Sequence, residues 1–277
     1  MYRYISLFLI TLFITFNISC DQSSTGNDNE GQLIVKFTDD PFPIEQVNQV
    51  DLKISKIEIR LKDGDNEENP FKVIFEKDTL ISFIDLRNGV TADMPEVDLP
   101  IGTYDLVRVY IDSASIGLAD GSFSQLKVPS AAQSGLKIFI KPAIQIQGGL
   151  TSELLLDYDI AKSFNTQGNY KSKSGIKGFH FKPVIRACNL STSGRIIGMV
   201  TDTSGTLLSD ARVWIERDST VATTYTNTDG YYGILGVLAG TYDIYCTKTD
   251  YDTMSVLGIE VIPGNLTKQD FVLTLQQ

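Results

Sequence analysis

One histidine, one tryptophan and three cysteines in 277 residues put most of the catalytic vocabulary out of reach. A lone His180 removes any metal site or acid–base system that needs two imidazoles, and three thiols cannot build a four-thiolate zinc centre. Positive charge is also short. The 24 Lys and Arg stand against 34 Asp and Glu, a net charge of −10, so the chain as a whole carries no electrostatic footprint for nucleic acid, and none is expected as a partner. No apolar run reaches the roughly 20 residues of a membrane-spanning helix, and no stretch sustains the spacing of a long amphipathic helix. No Gly-x-Ser-x-Gly elbow supports a hydrolase. What is present is a 42% hydrophobic composition, enough for one to three globular domains, and no cofactor is expected.

The N-terminus carries an address. Arg3 precedes the apolar run Ile5 to Phe16, which has the length of a signal-peptide core, and the segment stops at Asn17-Ile18-Ser19-Cys20 before the hydrophilic Asp21-Gln22-Ser23-Ser24. This resembles a bacterial lipoprotein signal. The resemblance implies that residues 1–19 are removed, that Cys20 is acylated, and that the membrane is contacted through those acyl groups. The expected location is the cell envelope, with the outer membrane favoured. Asp21 to Gly31 holds no apolar residue and cannot bury a core, so 20–31 reads as the lipidated Cys and a flexible tether.

From Gln32 onward the dominant period is two. Leu33, Val35 and Phe37 alternate with Ile34 and Lys36. Leu52 and Ile54 lead, after a break at Ser55-Lys56, into Ile57, Ile59 and Leu61. Further runs are Phe71 to Phe75, Leu80 to Leu86, Tyr104 to Ile111, Leu136 to Ile140, Leu154 to Ile160 and Phe179 to Ile185, while Ile160 to Phe164 suits one helical turn. Small polar residues after Cys188 mark a linker at 189–194. Seven more strand patterns follow between Ile196 and Leu275. Short strands between turn signals predict an all-β protein of two antiparallel β-sandwich modules, 32–188 and 195–277.

In the second series, Gly198-Met-Val200, Gly205 with Leu208-Ser-Asp-Ala211, Thr226-Asn-Thr-Asp229-Gly230-Tyr-Tyr232 and Leu238-Ala-Gly240-Thr-Tyr242 closely resemble the carboxypeptidase regulatory-like family. That resemblance implies a prealbumin-like or immunoglobulin-like sandwich without catalytic residues. Asp229-Gly230 reads as a hairpin turn with glycine at positive φ. The first series, through Gly31-Gln-Leu33-Ile-Val35-Lys-Phe37-Thr38-Asp39-Asp40-Pro41, Gly102-Thr-Tyr104, Ser134-Gly135, Leu156-Asp157-Tyr-Asp159 and Lys182-Pro183-Val184, resembles a lipoprotein domain of unknown function, domain of unknown function 4382. It implies a β-rich extracytoplasmic domain with no established activity. One hexapeptide pattern occurs in both halves, Ile101-Gly-Thr-Tyr-Asp-Leu106 and Ala239-Gly-Thr-Tyr-Asp-Ile244, and predicts the same turn-to-strand corner anchored by a buried Tyr.

Candidate site residues are few. Trp214 should point outward with Arg212 and Glu216 while Ala211, Val213 and Ile215 point inward, and Tyr231 should likewise lie outside Tyr232 and Ile234. Outward aromatics stack on sugars or form protein contacts, or else pack against the neighbouring domain, so Trp214 and Tyr231 are the candidate ligand-binding residues. Asp157 and Asp159 alternate on a strand and could join Asp39 or Asp40 around Ca²⁺, or serve as an acid pair in hydrolysis. The preferred reading is that they cap turns, with no metal site. His180, between Phe179 and Phe181, reads as a packed or surface residue. The acid-free run from Ala161 to Cys188, with Lys162, Lys171, Lys173, Lys177, Lys182 and Arg186, could receive an anionic glycan but reads more simply as a solvated hairpin. Cys188 and Cys246 are expected as free thiols. These observations predict a non-enzymatic, lipid-anchored envelope protein that binds a glycan or a protein partner. The alternative is a structural or assembly accessory whose second sandwich acts as spacer or docking module, and a hydrolase with an acidic pair is the remaining reading.

Overall fold

The computed structural model describes residues 29–40, 47–62, 70–168 and 176–276. The signal segment 1–19, Cys20, most of the tether, Lys171 and Lys173 lie outside the described residues, as does the side chain of Asp40. Both modules are β-sandwiches. The first holds β1 (Glu30–Asp40), β2 (Val47–Leu61), β3 (Phe71–Ser82), β4 (Ala92–Asp93), β5 (Val97–Pro100), β6 (Gly102–Leu118), β7 (Phe123–Leu126), β8 (Leu136–Ile146), β9 (Thr151–Asp159), β10 (Phe164–Gly168), β11 (Ile176–Phe181) and β12 (Ile185–Asn189). Its main sheet runs β3-β2-β6-β8-β12-β9-β1-β4, with β5 on β1 and β7 on β6, and folds over one core through β8, which pairs β6 in one layer and β12 in the other. A separate two-stranded ribbon pairs β10 with β11.

Alternation dictates which faces meet. Leu33, Val35 and Phe37 of β1 are buried, as are Leu52, Ile54, Ile57 and Ile59 of β2. The shift from even to odd numbering in β2 is absorbed by a bulge, since the register slips between Ile54 and Lys56 against both neighbouring strands. One extra residue there returns the apolar set to the core face. Ile160–Ser163 forms a single helical turn, as its pattern suggests, started by Asp159 Oδ1 accepting the Lys162 N–H.

Several local expectations change. The runs at 71–75 and 80–86 belong to one strand, β3, that ends at Ser82, and the run at 179–185 divides between β11 and β12. The sheets are also not purely antiparallel: β1 lies parallel to β9 from Gln32↔Thr151 to Asp40↔Asp159, and β12 is parallel to β8. A hairpin makes only antiparallel neighbours, whereas strands far apart in sequence can meet in either sense, and the alternation within each strand does not encode that choice.

The second module contains β13 (Gly194–Asp202), β14 (Arg212–Arg217), β15 (Ser219–Tyr225), β16 (Tyr231–Val237), β17 (Gly240–Thr247), β18 (Met254–Val261), β19 (Leu266–Lys268) and β20 (Phe271–Leu273). One layer runs β16-β13-β19 with β20 also on β13, and the other runs β15-β14-β17-β18. The count exceeds expectation by one, because three-residue β19 is too short to show a period. β19 and β20 both lie parallel to β13. The Asp229-Gly230 turn is not a hairpin, since β15 and β16 belong to opposite layers. It is an inter-layer corner, in which Asn227 Oδ1 accepts the N–H groups of Asp229 and Tyr231 while Gly230 takes φ 67°.

The shared hexapeptide makes the same corner twice. Tyr104 and Tyr242 are both buried, and their hydroxyls donate to the carbonyls four residues upstream, Pro100 at 3.0 Å and Leu238 at 2.8 Å. Gly102 and Gly240 precede them at φ 156° and 149°, where the Leu61 side chain and the Arg217 guanidinium fill the space a Cβ would need. One buried tyrosine lacks such a partner. Tyr158 packs on Phe83 with ring centroids 4.6 Å apart, and its hydroxyl has no hydrogen-bond partner among the described residues. A buried hydroxyl left unpaired costs roughly 1–3 kcal/mol. Tyr158→Phe is therefore expected to raise the unfolding free energy of the first module by about 1 kcal/mol, read as a higher denaturant midpoint, and a lower midpoint would mean that this hydroxyl is satisfied in solution.

Candidate functional site

The inward set Ala211, Val213 and Ile215 is fully buried, so the β-sheet pleat turns Arg212, Trp214 and Glu216 outward from β14. Cross-strand pairing then builds a patch around the indole. Trp214 lies opposite Thr223 of β15 and Tyr245 of β17, and Arg212 lies opposite Tyr225. The Trp214 and Tyr245 rings stack with centroids 5.2 Å apart and planes 13° from parallel, and the Arg212 guanidinium sits 4.6 Å from the indole centre. The indole N–H donates to Glu216 Oε1 at 2.8 Å. The result is a half-buried row, Tyr225, Arg212, Trp214 and Tyr245, held rigid by its own contacts. Residues of this kind dominate the energetics of protein interfaces. A sugar would instead need an open ring face and a free donor, and here the ring is already in contact with a phenol and a guanidinium.

Tyr231 is placed elsewhere. It projects outward from β16, in the opposite layer, so the core of the second sandwich separates it from Trp214 and the two cannot share one ligand. Burial outweighs the nearby Arg195 guanidinium and moves the Tyr231 phenol above its ordinary range. Further along the same outward face, Gly233 lies against Asn88 of the first module and Leu235 against Gly89. The outward side of β16 is thus partly a junction.

That junction claims the acidic candidates. Arg186 of β12 bonds Asp157 Oδ2 through Nη2 at 2.6 Å and donates through Nη1 to the Gly236 carbonyl at 3.0 Å, so one guanidinium ties both modules. Thr224 Oγ1 donates to Asn88 Oδ1 at 3.1 Å beside it. Asp159 holds Lys162 through both carboxylate oxygens, to N at 2.8 Å and Nζ at 2.6 Å. Asp39 is buried opposite Tyr158, on the other face of its strand from the position that pairs with Asp157. Among the described residues no group of three or more His, Cys, Asp or Glu is arranged to hold a metal ion.

The remaining candidates resolve locally. Phe179 and Phe181 are buried while His180 is exposed and meets the Gln167 amide across β10 and β11. Of the basic run, Lys162 and Arg186 are ion-paired and Lys177 and Lys182 are exposed. Cys188 and Cys246 are free and buried in separate modules, and burial pushes their thiols up to about 11 and about 12.

Two features escaped the pattern analysis because they arise between elements distant in the chain. A cleft of about 400 Å³ opens at the junction, with Lys36, Glu153, Arg195 and Asn265 on its walls. Burial works against the Lys36 charge, but ion pairs to Asp93 at 2.6 Å and Glu153 at 3.3 Å outweigh it and hold the ammonium above its usual range. A second cleft lies between β8 and β12, lined by residues of both strands and by Leu238 of the second module.

The geometry can be set beside known proteins. The model of the family described as Domain of unknown function (DUF4382) matches residues 30–177. The chain belongs to that family. In this DUF4382 protein a second match, to the Carboxypeptidase regulatory-like domain, covers residues 195–274. No curated protein matches it. Among solved structures it is similar to the Bacillus anthracis TIE protein, at 16% identity over 89% of this chain and 34% of that one, with a TM-score of 0.26. The DUF4382 protein thus spans about a third of the length of the TIE protein. It is also similar to the shaft pilin SpaA from Lactobacillus rhamnosus GG, at 9% identity over 90% of this chain and 98% of that one, with a TM-score of 0.26. The minor pilin GBS52 of Streptococcus agalactiae is 12% identical over 89% of this chain and 97% of that one, with a TM-score of 0.25. No helix among the described residues is long and apolar enough to cross a membrane.

Proposed function

We propose that this DUF4382 protein is a non-enzymatic, lipid-anchored envelope protein whose second sandwich presents the Trp214 face to a protein partner. The observation that carries the reading is the half-exposed group Arg212, Trp214 and Tyr245 on β14 and β17, in the layer opposite the one that carries Gly233 and Leu235 at the junction, with Tyr225 closing the row beside Asn88 of the first module. The lipoprotein-like signal and Cys20 support tethering through acyl chains, since two or more such chains make anchoring stable. The acidic pair that a hydrolase would use is engaged in the Arg186 clasp and a helix cap, which supports a binding role over catalysis.

A pulldown from envelope extracts with the chain beginning at Asn29, run beside a glycan array, tests this. Trp214→Ala is expected to lose a specific protein partner by about 30-fold or more in affinity, as removal of an interface anchor does. A sugar hit abolished by the same substitution would replace the protein reading with a carbohydrate-binding one. A second reading, that the C-terminal module is a spacer, draws on the Arg186 and Asn88 contacts that fix it to the first. It predicts that Trp214→Ala changes no interaction.

A further inference from the structure

β8 and β12 are neighbours through a single residue pair, Ile140 with Ala187, whereas β12 pairs β9 along its whole length. Parallel strands joined at one point splay apart. The gap is a cleft of about 440 Å³, within the roughly 300–1,000 Å³ of small-molecule sites. Its floor is apolar, made by Ile138, Ile185 and Ala187. At its mouth stand two hydrophobic side chains that folding leaves in water, Phe139 at 57% exposure and Leu238 of the second module at 38%.

The rim has one sign of charge. Lys137, Lys141 and Arg186 line it and no carboxylate does, in a chain whose net charge is −10. Asp157 holds Arg186 at 2.6 Å, but Lys137 and Lys141 have no ion pair among the described residues. Lys137 lies opposite Arg108 across β6 and β8, but Glu58 pairs that guanidinium at 3.6 Å, so among the described residues Lys137 and Lys141 are the rim cations left without a partner charge.

We infer that this cleft binds a single-chain anionic amphiphile, with an acyl chain along the Ile138, Ile185 and Ala187 floor and a carboxylate or phosphate head at Lys137 and Lys141. Neither the floor nor the rim suffices alone. An apolar floor without the cations would take any hydrocarbon, and the cations without the floor would take any anion. The site shares no residue with the Trp214 face and does not depend on its role.

Calorimetric titration tests it. Among the described residues both cores lie between Leu33 and Leu273, so the chain from Asn29 to Gln277 keeps both core clusters whole. Monomeric dodecanoate and dodecyl phosphate are expected to bind with one-to-one stoichiometry, dodecanol at least about tenfold more weakly, and inorganic phosphate not at all. The Lys137→Glu/Lys141→Glu double variant is expected to lose about tenfold or more in dodecanoate affinity with a thermal midpoint little changed, since both side chains are exposed and without an ion pair among the described residues. Phe139→Ala is expected to weaken dodecanoate while leaving its preference over dodecanol intact, and Trp214→Ala to change nothing. Equal binding of dodecanol and dodecanoate, binding of phosphate alone, or dodecanoate affinity indifferent to the double charge reversal would each overturn the inference. So would association with phosphatidylglycerol vesicles in the absence of any binding of monomeric dodecanoate, since that describes a membrane-facing surface instead of a cleft.

Discussion

Gly198→Ala is expected to destabilise the second sandwich by about 3 kcal/mol or more. Gly198 sits in the middle of β13, where residues 269–270 join β19 to β20 and run alongside it, both strands pairing β13 in parallel at the same offset. The Gln269 N–H donates to the Ile197 carbonyl at 2.9 Å, and the Asp270 carboxylate accepts the Met199 N–H at 2.9 Å. A Cβ at residue 198 would occupy the space of the Gln269 carbonyl oxygen and come within 2.7 Å of the Tyr232 ring. Backbone on one side and a buried tyrosine on the other leave nothing that can yield cheaply. Tyr232 cannot swing away, because its hydroxyl donates to that same Gln269 carbonyl. Chemical denaturation followed by Trp214 fluorescence reads this module selectively, since it holds the only tryptophan. An unfolding free energy within about 0.5 kcal/mol of the unmodified chain would show that the segment joining β19 to β20 moves away from β13 freely, contrary to the packing described.

Arg186→Ala is the second large effect. Removing the guanidinium leaves Asp157, 8% exposed, without its 2.6 Å partner and strips the Gly236 carbonyl of a donor. Breaking a buried pair from one side costs about 3 kcal/mol or more, and the partial exposure of Arg186 places this case at the low end. The effect should be split. The first module loses stability through the orphaned carboxylate, while the second keeps its own midpoint but loses its fixed attachment. Small-angle scattering should then report a broader distribution of module separations, and protease should cut near Leu190 to Thr192 sooner. Asp157→Asn with Arg186 intact separates the two contributions, because it removes the charge but keeps the guanidinium on the Gly236 carbonyl. Unchanged scattering in Arg186→Ala would mean that Thr224, Asn88 and the glycine contacts hold the junction unaided.

Those junction glycines show how much depends on the second module being present. Gly236 adopts φ 63°, and a side chain there would press on Cys188 Sγ and on Leu155, residues that belong to the first module. In the sequence Gly236 is one more glycine in a strand pattern, with nothing nearby to say what approaches it. The same holds for Leu155, which is fully buried although it lies on the outward parity of β9. Its cover comes from the other module, which no period within β9 can announce.

The amino-acid sequence by itself determined the all-β character, the inward faces of nearly every long strand, the change of parity at Ser55-Lys56 and the paired tyrosine corners at Tyr104 and Tyr242. Each of these follows from residues within a few positions of one another, where period, turn chemistry and side-chain size act directly on the backbone. It also set the outward direction of Trp214 and Tyr231. Only the tertiary structure decided that those two face opposite sides, that β1 runs parallel to β9, that Asp157 serves a junction, and that β8 and β12 splay into a cleft with cations at its mouth. These depend on which distant strands become neighbours. That choice is made by the collective burial of both layers and by contacts between modules, whose partners lie tens to more than a hundred residues away.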